Sequence, residues 1–191
     1  DQTGNINFHF EDSSGNEGRS NAIFTKIADV TSGEEDAEFY ITNMIAGTER
    51  DVLHIYPSEI VLNEDSVDLD FRVESNNDTN TLFVDGGEDL VGIGTATPKA
   101  SLDIKPGGND WEDGLLLHHD NATTGWTLHP ERTGNSLYFG YNSDTSVSVA
   151  SQTATLRMVL QGDGNVGIGD DTPSEAKLSI TNVLSGDYGI H

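Results

Sequence analysis

The octapeptide Val91-Gly92-Ile93-Gly94-Thr95-Ala96-Thr97-Pro98 recurs as Val166-Gly167-Ile168-Gly169-Asp170-Asp171-Thr172-Pro173, and its valine, glycine, isoleucine and proline positions all keep one offset. A punctuated unit repeated at a fixed distance marks a repeated module. Val and Ile alternate with Gly, so in a strand the branched side chains share one face and the glycines the other. A bare glycine face has backbone entropy to lose, and it is expected where another backbone packs close. Thr, Asp and the proline then stop the strand and turn the chain. A short alternating run follows in each copy: Ser101-Leu102-Asp103-Ile104, and Lys177-Leu178-Ser179-Ile180 one residue further on. Upstream, residues 81–87 align with residues 156–162, and Gly162-Asp163-Gly164-Asn165 has the composition of a hairpin turn. The unit reads strand, Gly/Asp turn, strand, proline turn, strand.

The run Leu82-Phe83-Val84-Asp85-Gly86, then Val91-Gly92-Ile93-Gly94-Thr95 with Pro98, Leu102 and Ile104, resembles the repeats of bacteriophage tail fibres and related trimeric virion fibres. The resemblance covers residues 71–104 and 154–181. Residue 170 is Asp where the family usually has Thr. In that family such repeats often precede a self-cleaving C-terminal chaperone domain. The resemblance implies an elongated, β-rich homotrimer that carries or is a receptor-binding surface. It also implies a place in the virion tail, tail or baseplate proteins as partners, and a host surface glycan or protein as the target.

Composition agrees with a core that one chain does not complete. Apolar residues make up 34% of the 191, against about 45–50% in ordinary globular chains when Gly is counted too. A chain this polar either shares its core with sister chains or forms a ribbon of small cores. Disorder is the rival for such a composition, but alternating apolar runs recur throughout. The formal charge is −24, from 33 acidic and 9 basic side chains. That argues against binding nucleic-acid backbones or anionic membranes. It fits solubility of an exposed surface in salty water, with calcium held by clustered carboxylates as the sharper alternative. Cysteine is absent, so there are no disulfides and no thiolate metal sites. No apolar run reaches about 18 residues, so no helical membrane span is expected. The chain starts at Asp1 with neither Met nor a signal-like segment, and is expected to be a fragment, a processed product or an ordered part of a longer chain.

Along the chain, four segments are expected. Residues 1–62 form a divergent N-terminal β-module. In it, Ile6, Phe8 and Phe10 share a face, a polar loop runs to Asn21, and strand-like runs cover 23–28, 38–44, 52–56 and 60–62. Residues 63–104 are the first full repeat, in which Val67, Leu69, Phe71 and Val73 alternate with Asp68, Asp70, Arg72 and Glu74 as one half-buried strand. Residues 105–153 are a variable, aromatic-containing β insertion with runs at 115–120, 125–130 and 136–141. Residues 154–191 are the second repeat and an extension. No helical periodicity persists, and turn residues break the chain at short intervals, which predicts an all-β fold.

The structural residues of the expected interchain core are Val91, Gly92, Ile93, Gly94, Pro98, Val166, Gly167, Ile168, Gly169 and Pro173. In this reading three chains bring the valines and isoleucines together and the glycines let the backbones approach. Trp111, Tyr138 and Tyr141 are the aromatics that could stack on sugar rings, and Trp126 is assigned to core because Trp126 and Leu128 alternate with Thr127. His118-His119 invites a metal site, since one inward histidine becomes three about a threefold axis. The His-x-His of iron-binding fibre tips in the resembled family is missing, so no metal site is expected. Glu34, Glu35 and Asp36 read as a solvated loop. Paired carboxylates for glycoside hydrolysis arise by chance among so many acids. No Gly-x-Ser-x-Gly, phosphate loop or His-Glu-x-x-His occurs. The chain therefore reads as a non-enzymatic fibre segment. Its rivals are a polysaccharide-degrading tailspike, and a capsid decoration fibre or prokaryotic surface filament.

Overall fold

The turns dictate how the chain folds. In the computed structural model, which describes residues 2–105, 107–108, 114–118, 124–131, 134–142, 154–174 and 177–181, all regular structure is β. The chain divides into two compact units, Asp1–Lys105 and Pro106–His191.

The first unit holds two sheets. Strands β1 (Gln2–Glu11), β2 (Glu17–Asp29), β3 (Asp36–Ile45), β4 (Thr48–Ile55) and β5 (Ile60–Leu62) form an antiparallel meander in chain order. Asp12 starts the first turn, its carboxylate accepting from the backbone of Ser14 and Asn16. The β3–β4 turn uses two residues at positive φ, Ala46 at 48° and Gly47 at 78°, which matches the twist of a tight hairpin. The polar loop expected through Asn21 is shorter than the composition suggested. Ser20 and Asn21 lie within β2: Asn21 pairs with Phe8 and Asn43, and Ser20 is the bulge beside it, its hydroxyl donating to the Phe8 carbonyl.

Strands β6 (Phe71–Val73), β7 (Leu82–Asp85), β8 (Leu90–Ile93) and β9 (Leu102–Ile104) form the second sheet. The alternating run from Val67 to Val73 is a strand only at its end. Asn63 and Ser66 adopt positive φ, and the Asn63 side chain both donates to and accepts from the backbone of Val67. That local bonding holds 63–70 as a loop, with Val67 lining a hollow beside Val84 and Val91.

The second unit is one six-stranded sheet of β10 (Leu115–His118), β11 (Gly125–Glu131), β12 (Ser136–Asn142), β13 (Ala154–Leu160), β14 (Val166–Ile168) and β15 (Leu178–Ile180), again in chain order. Residues from 105–153 and from 154–191 therefore share a sheet.

The repeated module ends identically in both units. Strands β7–β8 and β13–β14 are antiparallel hairpins, whereas β8–β9 and β14–β15 are parallel. Parallel neighbours ordinarily need a crossover of about a dozen residues or more. Here 94–101 and 169–177 suffice, because Gly94 and Gly169 leave the strand at φ 72° and 69°. The backbone then returns under Val91 and Val166, whose amides donate to the carbonyls of Ser101 and Lys177. The upstream alignment shifts by one residue from the expected one. Phe83 lies opposite Gly92 and Val159 opposite Gly167, so the buried Phe83 corresponds to Val159, not to Met158.

Candidate interaction face

Register sets apolar rows on one face of every sheet, although in the N-terminal sheet a polar row of Asn21, Asn43 and Arg50 lies on the same face. In the first repeat Phe71, Val84, Val91 and Leu102 stand in one row across four strands. On the same face Val73 lies opposite Leu82, and Ile93 opposite Ile104. No charged residue interrupts these rows. The other face carries Arg72, Phe83, Gly92 and Asp103.

The second unit extends the pattern to six strands. Leu115, Leu128, Phe139, Met158, Ile168 and Ile180 form one row, one residue per strand. Pro130, Leu137, Leu160, Val166 and Leu178 form the next. In the N-terminal sheet Ile6, Ile23, Ile41, Leu53 and Leu62 do the same.

Burial runs opposite to what a self-sufficient domain would show. Leu102 is 58% exposed, Ile168 42% and Leu178 55%. The residues that are shut away lie on the reverse face: Phe83 and Gly92, Thr127 and His129, Val159 and Gly167. A half-exposed Leu or Ile retains on the order of 1 kcal/mol of unrealised burial free energy, and rows of them make a patch that soluble monomers rarely present.

The glycines of the repeat have a role other than the expected one. A Cβ on Gly92 would collide with the Thr95 carbonyl oxygen, and one on Gly167 with the Asp170 carbonyl oxygen. The close backbone is the chain's own crossover loop, so these glycines do not wait for a sister chain. Gly94 and Gly169 lie beyond the strands, their would-be Cβ atoms 2.5 Å and 2.7 Å from the carbonyl oxygens of Lys105 and Thr181. Pro98 and Pro173 are buried in the crossover. Asp170 does the work of Thr95: each side chain accepts from the amide two residues on, Thr97 at 3.2 Å and Thr172 at 3.0 Å. The second carboxylate oxygen of Asp170 takes the Ser179 hydroxyl. Of the expected core residues, Val91 and Val166 are half-buried while Ile93 and Ile168 are exposed on the apolar face.

The aromatics separate. Tyr138 and Tyr141 lie on opposite faces of β12, so they do not build one platform. Tyr138 shares the covered face with His129, its hydroxyl raised above the usual phenol range by burial and by the Glu131 charge. Tyr141 meets Trp126 edge-on, ring centres 5.5 Å apart, with the Arg157 guanidinium 5.7 Å from the Tyr141 ring centre. Trp126, assigned to core, is 50% exposed in the chain itself, and the buried neighbour is Thr127. Trp111 and His119 lie outside the described residues, and His118 is exposed at the end of β10. Among the described residues no group of three His, Asp or Glu side chains is placed to hold a metal ion. In the acidic loop Glu35 accepts from the Gly33 amide.

Register also builds a feature with no linear signal. On the reverse face of the N-terminal sheet, Phe24, Tyr40, His54 and Tyr56 stack with ring centres 4.5, 3.9 and 3.6 Å apart. The Tyr40 hydroxyl donates to Glu38, whose carboxyl it holds below the ordinary range, and the Glu38 carboxylate sits 3.6 Å from His54 Nε2. Beside the stack, the Tyr56 hydroxyl, bonded to Glu64, is pushed up to about 12. A part-buried polar chain lies nearby: Arg19 donates to Glu49, Thr42 donates to Glu49, and the Ala22 amide donates to Thr42. Burial opposes ionisation of Glu49, but the Thr42 and Arg19 bonds prevail and lower its pKa.

No protein-family model and no curated protein matches the chain.

Proposed function

We propose that this chain is a segment of a homotrimeric virion fibre that serves attachment to a bacterial host. The observation that carries the proposal is the inverted burial: each sheet has a row of Ile, Leu, Val or Phe with exposed members, while its fully buried side chains lie on the other face. An identical copy suits such a face. The rows of the two repeats are free of charge, so the rows themselves bring no charged side chain into the contact. The Val-Gly-Ile-Gly repeats, which resemble those of phage tail fibres, add the address. Tail or baseplate proteins would hold the fibre, and a host glycan or protein would be its target. The rows fix a stiff shaft, and the loops between strands are left to vary.

The test is the mass of the native particle by sedimentation equilibrium at high salt. Three chains per particle support the proposal, and a monomer at every concentration overturns it. A tailspike that degrades polysaccharide is the enzymatic alternative, and release of reducing ends from host capsule would favour it. A capsid decoration fibre or a prokaryotic surface filament would share the trimer but not the address.

A further inference from the structure

We infer that self-association of this chain is gated by ionic strength; the inference rests on the trimeric reading above. Two opposed features meet in one molecule. The apolar rows favour association, and they gain when salt raises the cost of exposed apolar surface. The net charge of −24 leaves most carboxylates without a Lys or Arg to answer them.

Their placement decides what assembly does to them. Asp85, Glu88 and Asp89 lie on the hairpin that joins β7 to β8, and Asp68 and Asp70 of the 63–70 loop lie against it. The Gly86 amide donates to Asp70 at 3.1 Å, and those of Gly87 and Glu88 to Asp85 at 3.0 and 2.9 Å. A Cβ on Gly87 would lie 2.9 Å from an Asp68 carboxylate oxygen. This hairpin borders the apolar row of Phe71, Val84, Val91 and Leu102. When identical chains stack these rows in parallel about one axis, each acidic hairpin comes to the same height as its two copies. Two like charges in water repel by about 1 kcal/mol at about 4 Å and less in proportion to distance, so the excess carboxylates on each chain add up. The repulsion reaches about 10 Å at 0.1 M salt but only about 3 Å at 1 M. Dilute buffer therefore holds the chains apart, and concentrated salt lets the apolar faces close.

The experiment is sedimentation equilibrium of the chain in NaCl from about 0.05 M to about 2 M, with a variant carrying Asp68→Asn, Asp70→Asn, Glu88→Gln and Asp89→Asn. Asn keeps the acceptor for the Gly86 amide and tolerates the φ of 58° at residue 89. The expected result is a monomer in dilute buffer and a trimer in concentrated salt, with the association constant rising at least about 100-fold across the series. The variant assembles at low salt. A trimer equally tight at every salt overturns the gating and leaves the trimeric reading standing. A monomer at every salt overturns both. A variant with the parent's salt dependence overturns the assignment to this hairpin.

Discussion

The Thr95 carbonyl oxygen occupies the position that a Cβ on Gly92 would need. Asp170 stands in the same relation to Gly167. The glycine is therefore the seat for the chain's own crossover loop. That loop brings β9 parallel to β8 and presents Leu102 and Ile104 beside Val91 and Ile93. Replacing it damages the module before any assembly begins. Gly92→Val should destabilise the folded chain by roughly 2–3 kcal/mol, as overpacking against backbone does. Urea unfolding of the dilute protein checks it. The same substitution at Gly4, a strand glycine without positive φ and with nothing within 4 Å of its would-be Cβ, sets the background.

Ile168 contributes differently. It sits in a six-strand row and is 42% exposed, so a polar side chain there meets water in the single chain and an apolar face in the assembly. Ile168→Asp should leave the β circular-dichroism spectrum and the urea midpoint of the dilute chain nearly unchanged. Association should weaken on the order of 100-fold. Sedimentation of the variant beside the parent at the same salt separates the two effects.

Asp51 carries a pH signature. Burial raises its carboxyl pKa, and the neighbouring Asp65 charge raises it further. The folded chain thus resists ionising this group more than the unfolded chain does. Its unfavourable contribution is absent below the ordinary carboxylate range and grows as pH rises from there through the raised folded value. Asp51→Asn should therefore raise the melting temperature at neutral pH, and the gain should vanish near pH 3. Melting curves of both proteins across that range check it. Asp12 and Glu38 act with the opposite sign. Asn16 hydrogen bonds hold Asp12 low and the Tyr40 hydroxyl holds Glu38 low, so the stability they add is lost as pH falls through their depressed values.

What the residues alone disclosed was governed by periodicity. Alternation at Ile6, Phe8 and Phe10, or at Val91 and Ile93, marks a strand and its two faces without any tertiary information. Ala46-Gly47 and the Gly162–Asn165 run likewise announce their hairpins through backbone chemistry. Alternation failed between Val67 and Asp70, where Asn63 bonds locally to Val67 and holds a loop; side-chain bonds of this kind compete with strand pairing. The parallel placement of β9 and β15 left no trace in the pattern, because a short strand reads alike in either direction. Register was equally hidden. Only pairing shows that Leu115, Leu128, Phe139, Met158, Ile168 and Ile180 form one line, or that Phe24, Tyr40 and His54 stack.

The absence of cysteine allows the central claim to be tested by placing a single thiol on each face of the first repeat in turn. Ile93→Cys puts it in the apolar row, and Asp103→Cys puts it on the face of Gly92. Any disulfide must then join two chains. Under mild oxidation in concentrated salt, the account predicts rapid covalent dimers from Ile93→Cys, with the third chain of each particle left unpaired, and little or none from Asp103→Cys. Equal crosslinking from both positions, or more from Asp103→Cys, would contradict the account.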